Sequence, residues 1–316
     1  MAPKFRIFID GSAGTTGLRI RERIAGREDL EMISLPEEAR KDPEARRAAL
    51  NGADVAFLCL PDDAAREAAG MTVSEGTVLI DTSTAHRVDP GWVYGFPELK
   101  GLRERIRGSR RIANPGCHAT GFIALAAPLV AAGALKKDAR LSCFSLTGYS
   151  GGGKKMIAEY EAPGASPLLR APRQYGLSQA HKHLPEMAAL TGLENPPVFC
   201  PIVAPYYAGM EVTIPLTGQD TDATPAELAG IYRAYYTDGL VRFAERADEG
   251  GFLSAGALAG RDDLEISVFG REGRILLVSR FDNLGKGASG AAIQNMNLVL
   301  GLPEGTGLKG ADGWIS

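Results

Sequence analysis

Cys117 is the residue of this chain best suited to covalent chemistry. It ends the tetrapeptide Asn114-Pro115-Gly116-Cys117 and opens a largely uncharged segment typical of a helix. Unpaired N–H groups and the positive dipole end at a helix N-terminus favour the thiolate, which lowers a cysteine pKa that is ordinarily about 8.5. A thiolate is the nucleophile that acyl transfer requires. The alternative is a small buried cysteine, which is common for this residue type.

Two histidines could supply the proton that the reduction of an acyl group needs. His181 and His183 alternate in the sequence HKHLPE, and the ordinary pKa of histidine, about 6.5, lies near working pH. If this stretch is extended, the two rings point to opposite sides and only one faces the sulfur. We favour His183 as the acid/base, keep His181 as the alternative, and expect Glu186 to orient a ring.

The other cysteines are expected to be inert. Cys59, Cys143 and Cys200 lie in the apolar runs VAFLCLP, LSCFSL and VFCPIV, and cysteine in such a run is usually part of the core. The cysteines show no CxxC or His/Cys metal spacing, so we expect no metal site.

A glycine-rich turn follows the first predicted strand, FRIFID, and opens a predicted helix. This is the position at which backbone N–H groups cradle a pyrophosphate in dinucleotide-binding folds. The spacing GxxGxxG is one residue looser than the usual fingerprint, so a simple tight turn is the alternative. The cofactor contacts predicted here are Gly11, Ser12, Ala13, Gly14, Thr15, Thr16 and Gly17.

The second predicted strand, EMISL, ends without an acidic residue. An acidic residue there would bind a ribose 2'-OH and select NAD, but this chain has Ser34, followed by Arg40 and Lys41. The 2'-phosphate of NADP is therefore favoured, although Glu37 and Glu38 lie nearby and could serve an NAD site.

The order of predicted elements indicates an α/β protein of two domains. Alternating strands and helices over residues 1–115 indicate a Rossmann-like doubly wound parallel sheet. Residues 116–285 have strands with hairpin-like spacing and few helices between them, which indicates an α+β catalytic and oligomerisation domain on an antiparallel or mixed sheet. Residues 286–316 return to helical spacing and are expected to complete the first domain. We expect the active site in the cleft between the two domains.

Composition narrows the classes of partner. The chain has 316 residues, 45% hydrophobic and 23% charged, with a formal net charge of −3, so small molecules are more probable partners than nucleic acid or anionic membranes. The start KFRIFID lacks a signal-peptide apolar region, and we expect a cytoplasmic protein. The segment from Asn114 to Leu135 is long enough to span a bilayer, but its Ala and Gly content and Pro128 favour a kinked helix inside a soluble protein.

Several motifs together resemble the N-acetyl-γ-glutamyl-phosphate reductase family, in its shorter form, within the semialdehyde dehydrogenase group. They follow the family's order over nearly the whole chain: GSAGTTGLRI, LPDDAARE, DTSTAHR, WVYGFPEL, NPGC, TGYSGGGKK, HKHLPEM and DNLGKGASGAAIQNMNLVLGL. The resemblance implies a second domain like that of glyceraldehyde-3-phosphate dehydrogenase. It also implies an NADP(H)-linked, cysteine-dependent reduction of N-acetyl-glutamyl 5-phosphate to the 5-semialdehyde, with release of inorganic phosphate, in arginine biosynthesis.

The resemblance also implies roles for individual residues and a homo-oligomer, dimeric or tetrameric. It gives Cys117 as the nucleophile and His181 or His183 as the acid/base. It implies substrate contacts at Arg87, Asn114 and Ser150, and further cofactor contacts at Ser83, Gly151, Lys286 and Asn295. One departure is His118, where the family usually has a tyrosine; this histidine could tune the thiol or fill the place of the aromatic ring.

Two alternatives remain open at this point. One is a related acyl-phosphate reductase that acts on aspartyl phosphate or an aminoadipate derivative. The other, from a different class, is a nucleotide-sensing protein that has lost catalysis. Cys117 and the HKH pair argue against a sensor, which requires neither.

Overall fold

The computed structural model describes residues 4–12, 14–310 and 313–315. Ala13, a predicted cofactor contact, lies outside the described residues. The chain forms two compact units, one holding the chain up to Pro115 together with Ala288–Leu308, the other running from Gly116 to Gly287. Of the segment 286–316, which was expected to complete the first domain, the described residues 286, 287, 309, 310 and 313 group with the second unit and the other described residues with the first.

The first unit is built on a parallel sheet. Its strands are β1 (Phe5–Asp10), β2 (Leu30–Ile33), β3 (Val55–Leu58), β4 (Val78–Asp81), β5 (Val93–Tyr94) and β6 (Arg111–Ala113). Its helices along this stretch are α1 (Thr15–Ile24), α2 (Pro43–Asn51), α3 (Asp62–Met71) and α4 (Leu102–Arg107). The strands pair in parallel in the order β2-β1-β3-β4-β6-β5.

The strand order of this sheet creates a natural ligand site. Because β2 lies on one side of β1 and β3 on the other, the winding of the chain reverses between β1 and β3. In open α/β sheets, ligands bind outside the carboxyl ends of the strands at such a point. All four residues of β3 are fully buried, as expected for a central strand of a parallel sheet covered on both faces. The predicted doubly wound sheet is confirmed.

The second unit contains a mixed sheet. Its helices are α5 (Cys117–Ala131), α6 (Gly153–Glu161), α7 (Leu184–Thr191) and α8 (Pro225–Tyr235). Its strands are β7 (Ser142–Gly148), β8 (Arg173–Gln174), β9 (Val198–Ala204), β10 (Met210–Thr217), β11 (Val241–Phe243), β12 (Leu264–Arg271) and β13 (Arg274–Phe281). The sheet order is β11-β12-β13-β10-β7-β9-β8. The pairs β7–β9 and β11–β12 are parallel, and the other pairs are antiparallel.

The second unit has more helices between consecutive strands along the chain than were predicted from the sequence. α6, α7 and α8 all lie between strands of the second sheet. After β13, a π-helical turn at Gly285–Ser289 leads into α9 (Gly290–Val299), and β14 (Leu308–Gly310) pairs with β15 (Gly313–Ile315) in a small sheet. The predicted C-terminal helix is therefore present but short.

α5 is the internal helix of the second unit. Residues 118–130 are buried, and a Cβ atom at Gly121 would lie 2.4 Å from Cγ2 of Val212 on β10, so glycine permits the close approach of helix and sheet. The Tyr232 hydroxyl of α8 donates a hydrogen bond of 2.6 Å to the carbonyl of Leu125. Within the described part of the chain, no helix is both long and apolar enough to cross a membrane.

Candidate active site

Cys117 is the first residue of α5, as predicted. β6 ends at Ala113, and three residues connect it to the helix, whose N-cap is Gly116. The Gly116 N–H donates to Oε2 of Glu186 (3.2 Å), and the Thr120 hydroxyl donates to the Gly116 carbonyl (3.0 Å). Cys117 is partly exposed. The local fold thus puts a partly exposed cysteine at the positive end of a buried helix.

A cluster of three histidines lies in the same unit. The ring of His118 is centred 5.7 Å from that of His181 and 5.5 Å from that of His183, and the last two rings are 4.8 Å apart. Phe199 of β9 packs edge-on against His118 and His181. The loop before α7 therefore brings both histidines of the HKH motif to the residue that follows Cys117.

The HKH segment is not extended. His183 has φ −88° and ψ −13° and is the N-cap of α7, and its N–H donates to Nδ1 of His181 (3.2 Å). Rings on opposite sides were expected only for an extended segment, and that condition is not met because the chain turns into α7 at His183. Nε2 of His183 lies 3.9 Å from Oε1 of Glu186, which is buried one turn along α7. This placement suits Glu186 to orient the His183 ring.

His118 is held inside the protein by both ring nitrogens. Nδ1 lies 2.7 Å from Oγ of Ser145 on β7, and Nε2 lies 2.6 Å from the hydroxyl oxygen of Tyr175. Burial, with smaller contributions from the positive charges of His181 and Lys182, lowers the pKa of His118 to about 3. His118 is therefore neutral at working pH and unsuited to proton exchange there.

The TGYSGG segment forms a 3-10 turn at Tyr149–Gly152 that contains the predicted residues Ser150 and Gly151. The Asn283 side chain donates to Oγ of Ser150 (3.0 Å) and accepts a hydrogen bond from the Gly209 N–H (2.9 Å). Ser150 is buried. Asn283, which follows β13, therefore fixes the Ser150 hydroxyl.

The π-helical turn brings a second backbone segment against Cys117. A Cβ atom at Gly287 would lie 3.0 Å from the Cβ of Cys117, so this turn packs directly on the thiol residue. Lys286 in the same turn is buried, with 1% of its surface exposed. π-Helical turns are rare and often occur at functional sites.

In the first unit, Arg87 and Asn295 both form hydrogen bonds with Asn114. Nε of Arg87 donates to the carbonyl of Asn114 (3.0 Å), and Nη2 donates to the carbonyl of Thr82 (3.2 Å). The Asn295 amide of α9 donates to the carbonyl of Gly95 (2.9 Å) and to Oδ1 of Asn114 (3.3 Å). The three predicted residues thus form one hydrogen-bonded group.

Ser83 and His86 belong to a second polar cluster around Asp81, at the end of β4. The Ser83 hydroxyl donates to Oδ2 of Asp81 (2.7 Å), and Nδ1 of His86 lies 2.7 Å from the same oxygen. The His86 ring stacks on Trp92 with 4.0 Å between centroids. These contacts give His86 a structural role in shaping the loop that carries Arg87.

A cavity of about 420 Å³ lies at the carboxyl ends of β1, β2 and β3. The predicted cofactor residues that line it are Gly11, Ser12, Ser34, Arg40 and Lys41. Arg46 of α2 also lines it and is held by Asp10, with 2.9 Å between Nη2 and Oδ2. The cavity is at the reversal point of the sheet, where a dinucleotide is expected.

The turn beside this cavity fits a bound pyrophosphate. Gly11 has φ +85°, and a Cβ atom there would lie 2.2 Å from the carbonyl oxygen of Cys59, so only glycine is accommodated. Gly14 is the N-cap of α1, and the first turn of α1 contains Thr15, Thr16 and Gly17. Oγ1 of Thr15 is buried and makes no hydrogen bond to the described part of the chain. A helix N-terminus with an unsatisfied hydroxyl is a suitable phosphate site.

The remaining cysteines differ in their burial. Cys143 is fully buried. Cys59 and Cys200 are partly exposed, although they were expected to be core residues. Burial of the Cys59 thiol nevertheless raises its pKa to about 12, so it stays protonated. Among the residues that the structure describes, no three His, Cys, Asp or Glu side chains are grouped to hold a metal ion.

Sequence reasoning missed Tyr175, Ser145, Asn283 and Arg46. Ser145 and Tyr175 are 27 and 57 residues from His118, and no local pattern connects residues so far apart. Arg46 could have been found, because it is a basic residue on the helix that follows the second strand.

Comparison with known proteins identifies the class. Residues 16–109 match the family model described as semialdehyde dehydrogenase, NAD binding domain, and residues 117–283 match semialdehyde dehydrogenase, dimerisation domain. The aspartate semialdehyde dehydrogenase II of Vibrio cholerae has a similar fold, with a TM-score of 0.69 and 17% identity over 94% of this chain and 99% of that chain. The aspartate semialdehyde dehydrogenase of Francisella tularensis also has a TM-score of 0.69, with 13% identity over 94% and 100% of the two chains. The fold and both domains are those of the semialdehyde dehydrogenases.

Sequence relatives narrow the class further. An N-acetyl-gamma-glutamyl-phosphate reductase of Sinorhizobium medicae is 47% identical over 95% of this chain and 99% of the relative. One of Brucella anthropi is 48% identical over 95% and 99%, and N-acetyl-gamma-glutamyl-phosphate reductase 2 of a Nostoc species is 44% identical over 96% and 99%. The chain belongs to the N-acetyl-gamma-glutamyl-phosphate reductase family. These matches confirm the resemblance that was drawn from the motifs. They also confirm the oxidoreductase class and a nicotinamide dinucleotide cofactor.

Proposed function

We propose that this chain reduces N-acetyl-γ-glutamyl phosphate to N-acetylglutamate semialdehyde, releasing inorganic phosphate, with Cys117 as the covalent nucleophile. The observation that carries the proposal is near-full-length identity of 44–48% to reductases of that name. The position of Cys117 at the start of α5, in the same unit as a histidine cluster, agrees with it. The product belongs to arginine biosynthesis.

Cys117 divides the reaction into two easier steps. Its thiolate sulfur bonds to the acyl carbon, and the bond from that carbon to the phosphate oxygen breaks, so phosphate leaves with its electron pair. When bound, NADPH supplies the hydride that reduces the resulting thioester. Protonation of the carbonyl oxygen then gives a thiohemiacetal, whose collapse releases the aldehyde and returns the thiolate.

A histidine of the HKH pair supplies that proton and takes it back on collapse. His183 is our choice, because it is buried and lies 3.9 Å from the Glu186 carboxylate, a partner that can hold its ring. His181 is partly exposed. With His183 as the acid/base, His181 would contact the substrate. The low pKa of His118, about 3, removes the third histidine from consideration.

The remaining predicted residues divide between substrate and cofactor. Arg87, Asn114 and Ser150 would hold the phosphate and acyl group. The glycine turn after β1 would hold the pyrophosphate, and Ser34, Arg40 and Lys41 in the cavity would face the 2'-phosphate of NADP(H). Ser83, Gly151, Lys286 and Asn295 would complete the cofactor site.

The chain is further proposed to be a cytoplasmic homo-oligomer, a dimer or tetramer. The match of residues 117–283 to a dimerisation domain supports association of copies of the chain. A reducing cytoplasm would keep the Cys117 thiol free for catalysis.

A reverse-direction assay tests the substrate. N-acetylglutamate semialdehyde should be oxidised with NADP and phosphate, and the free-amine glutamate semialdehyde and aspartate semialdehyde should react far more slowly. A site that pairs with the N-acetyl amide leaves buried polar groups unpaired when the amide is missing, which can cost roughly 10⁴-fold in kcat/KM.

Two outcomes would refute the assignment. If aspartate semialdehyde is the better substrate, the enzyme belongs to another branch of the same fold. If reduction of NADP does not depend on phosphate, the acyl-phosphate chemistry itself is wrong.

A further inference from the structure

The His118 ring joins two hydroxyl groups that come from different parts of the second unit. Ser145 lies on β7, and Tyr175 directly follows β8. The two hydrogen-bond distances, 2.7 Å at Nδ1 and 2.6 Å at Nε2, are short for nitrogen and oxygen. Ser145 is fully buried and 3% of His118 is exposed, so water cannot replace either partner easily.

The charge state of His118 determines which atoms donate in its hydrogen bonds to Ser145 and Tyr175. Because burial keeps His118 neutral, its ring has one N–H donor and one acceptor nitrogen. The ring therefore accepts a hydrogen bond from one hydroxyl and donates one to the other. The titratable groups around it are Tyr175, His181, Lys182 and His183.

Tyr175, the partner of His118 at Nε2, also interacts electrostatically with Cys117. Burial raises the pKa of Tyr175, and negative charge on Cys117 raises it further, so the phenol stays protonated within electrostatic reach of the sulfur. The Tyr175 N–H donates to the carbonyl of Pro201 on β9 (3.0 Å), which anchors its backbone. Its hydroxyl direction then depends on the bond to His118.

We propose that His118 is a positioning residue, which accepts a hydrogen bond from Ser145 at Nδ1 and donates one to Tyr175 at Nε2. With its lone pair occupied by His118, the Tyr175 hydroxyl is free to donate its own proton toward the Cys117 sulfur and stabilise the thiolate. The three bonds then run in one direction, from Ser145 to Cys117. This inference rests on the proposed role of Cys117 and adds Tyr175 as a donor to it.

Thiol alkylation tests the inference without relying on the substrate. The rate at which iodoacetamide modifies Cys117, followed by mass spectrometry of its peptide over a range of pH, gives the apparent pKa of the thiol. In Tyr175→Phe that pKa should rise by roughly one unit, since one hydrogen bond to a charged group is lost. His118→Asn, whose amide reaches Ser145 but not Tyr175, should raise it by a similar amount.

A double-mutant cycle separates a positioning role from a general structural one. If His118 acts through Tyr175, the double variant should shift the pKa no more than Tyr175→Phe alone. His118→Gln, whose longer amide can donate to Tyr175, should restore most of the wild-type value. NADP affinity, measured on each variant, should stay unchanged because none of the substituted residues lines the cavity or belongs to the glycine turn.

Additive shifts, or a shift in Tyr175→Phe with none in His118→Asn, would overturn the inference. If His118→Asn does not fold, Ser145→Ala and its double variant with Tyr175→Phe carry the same test. A Cys117 pKa that moves as expected in a protein inactive on N-acetylglutamate semialdehyde would support the inference while refuting the proposed substrate.

Discussion

Cys117 and Cys59 carry the same side chain in opposite surroundings. Burial and the negative charges of Asp81 and Asp10 raise the pKa of the Cys59 thiol to about 12, and a hydrogen bond with Thr82 only partly offsets this. Both residues are partly exposed, but Cys117 begins a buried helix, whose positive dipole end favours the thiolate. Surroundings, and not residue type, therefore distinguish the proposed nucleophile from a thiol that stays protonated.

Replacing Cys117 with serine should slow turnover by at least about a thousandfold, because the thioester route is lost. NADP should bind as in the wild type, since Cys117 neither lines the cavity nor belongs to the glycine turn. Steady-state kinetics and NADPH fluorescence titration measure the two effects, and Cys59→Ser is the matched control with near-normal rate. The role of Cys117 is wrong if the serine variant keeps a substantial fraction of activity. It is also wrong if enzyme with acyl phosphate and no NADPH forms no adduct on the Cys117 peptide.

At the scale of elements, the segment from β2 to α2 determines the polar wall of the cofactor cavity. Ser34 follows β2, Arg40 and Lys41 precede α2, and Arg46 lies on α2, where Asp10 holds its guanidinium. The segment presents three basic side chains, and the one carboxylate among the described residues that line the cavity is Asp10 of β1, which is paired with Arg46. Such a wall suits a 2'-phosphate better than a free ribose hydroxyl.

NADPH should accordingly be preferred to NADH. Replacing both Arg40 and Lys41 with alanine should lower kcat/KM for NADPH by roughly tenfold or more, with little change for NADH, because charge-assisted bonds to the 2'-phosphate are lost. Alanine at Arg105 and Arg107, which are exposed on α4, is the matched control. Equal kcat/KM for the two cofactors in the wild type, or a uniform loss in the variant, would show that the 2'-phosphate site is misplaced.

Five of the six described strands of the first unit were predictable because each is a short apolar run, whereas the two-residue β5 (Val93–Tyr94) was not predicted. FRIFID matches β1, and DDAAREAAGM matches α3. The HKH segment was not, because its alternating pattern suggests a strand while the chain instead turns into α7 at His183. The glycine turn and Cys117 were found from sequence because their chemistry depends on local position. The partners of His118 depend on tertiary packing and have no local signal.

At the scale of the whole molecule, burial of a neutral histidine lowers the stability of the folded protein at low pH. Between pH 6.5, the ordinary pKa of histidine, and about 3, its pKa in the fold, the unfolded chain binds a proton at position 118 that the native protein does not. The free energy of unfolding therefore falls with decreasing pH through this window, by up to about 1.4 kcal/mol per unit from this residue.

His118→Gln removes this titration while keeping an amide in place of the ring. At pH 7 the variant should be less stable than the wild type, because the packed ring is lost. Its deficit should shrink as pH falls from 6.5 toward 4.5, since only the wild type loses the His118 contribution. Urea unfolding followed by circular dichroism at several pH values measures the difference, and other titrating groups, such as Asp29 with its lowered pKa, cancel between the two proteins. A deficit that stays constant across this range would mean that His118 takes up its proton at the same pH in the native protein as in the unfolded chain, so that burial between Ser145 and Tyr175 does not keep the ring neutral below pH 6.5.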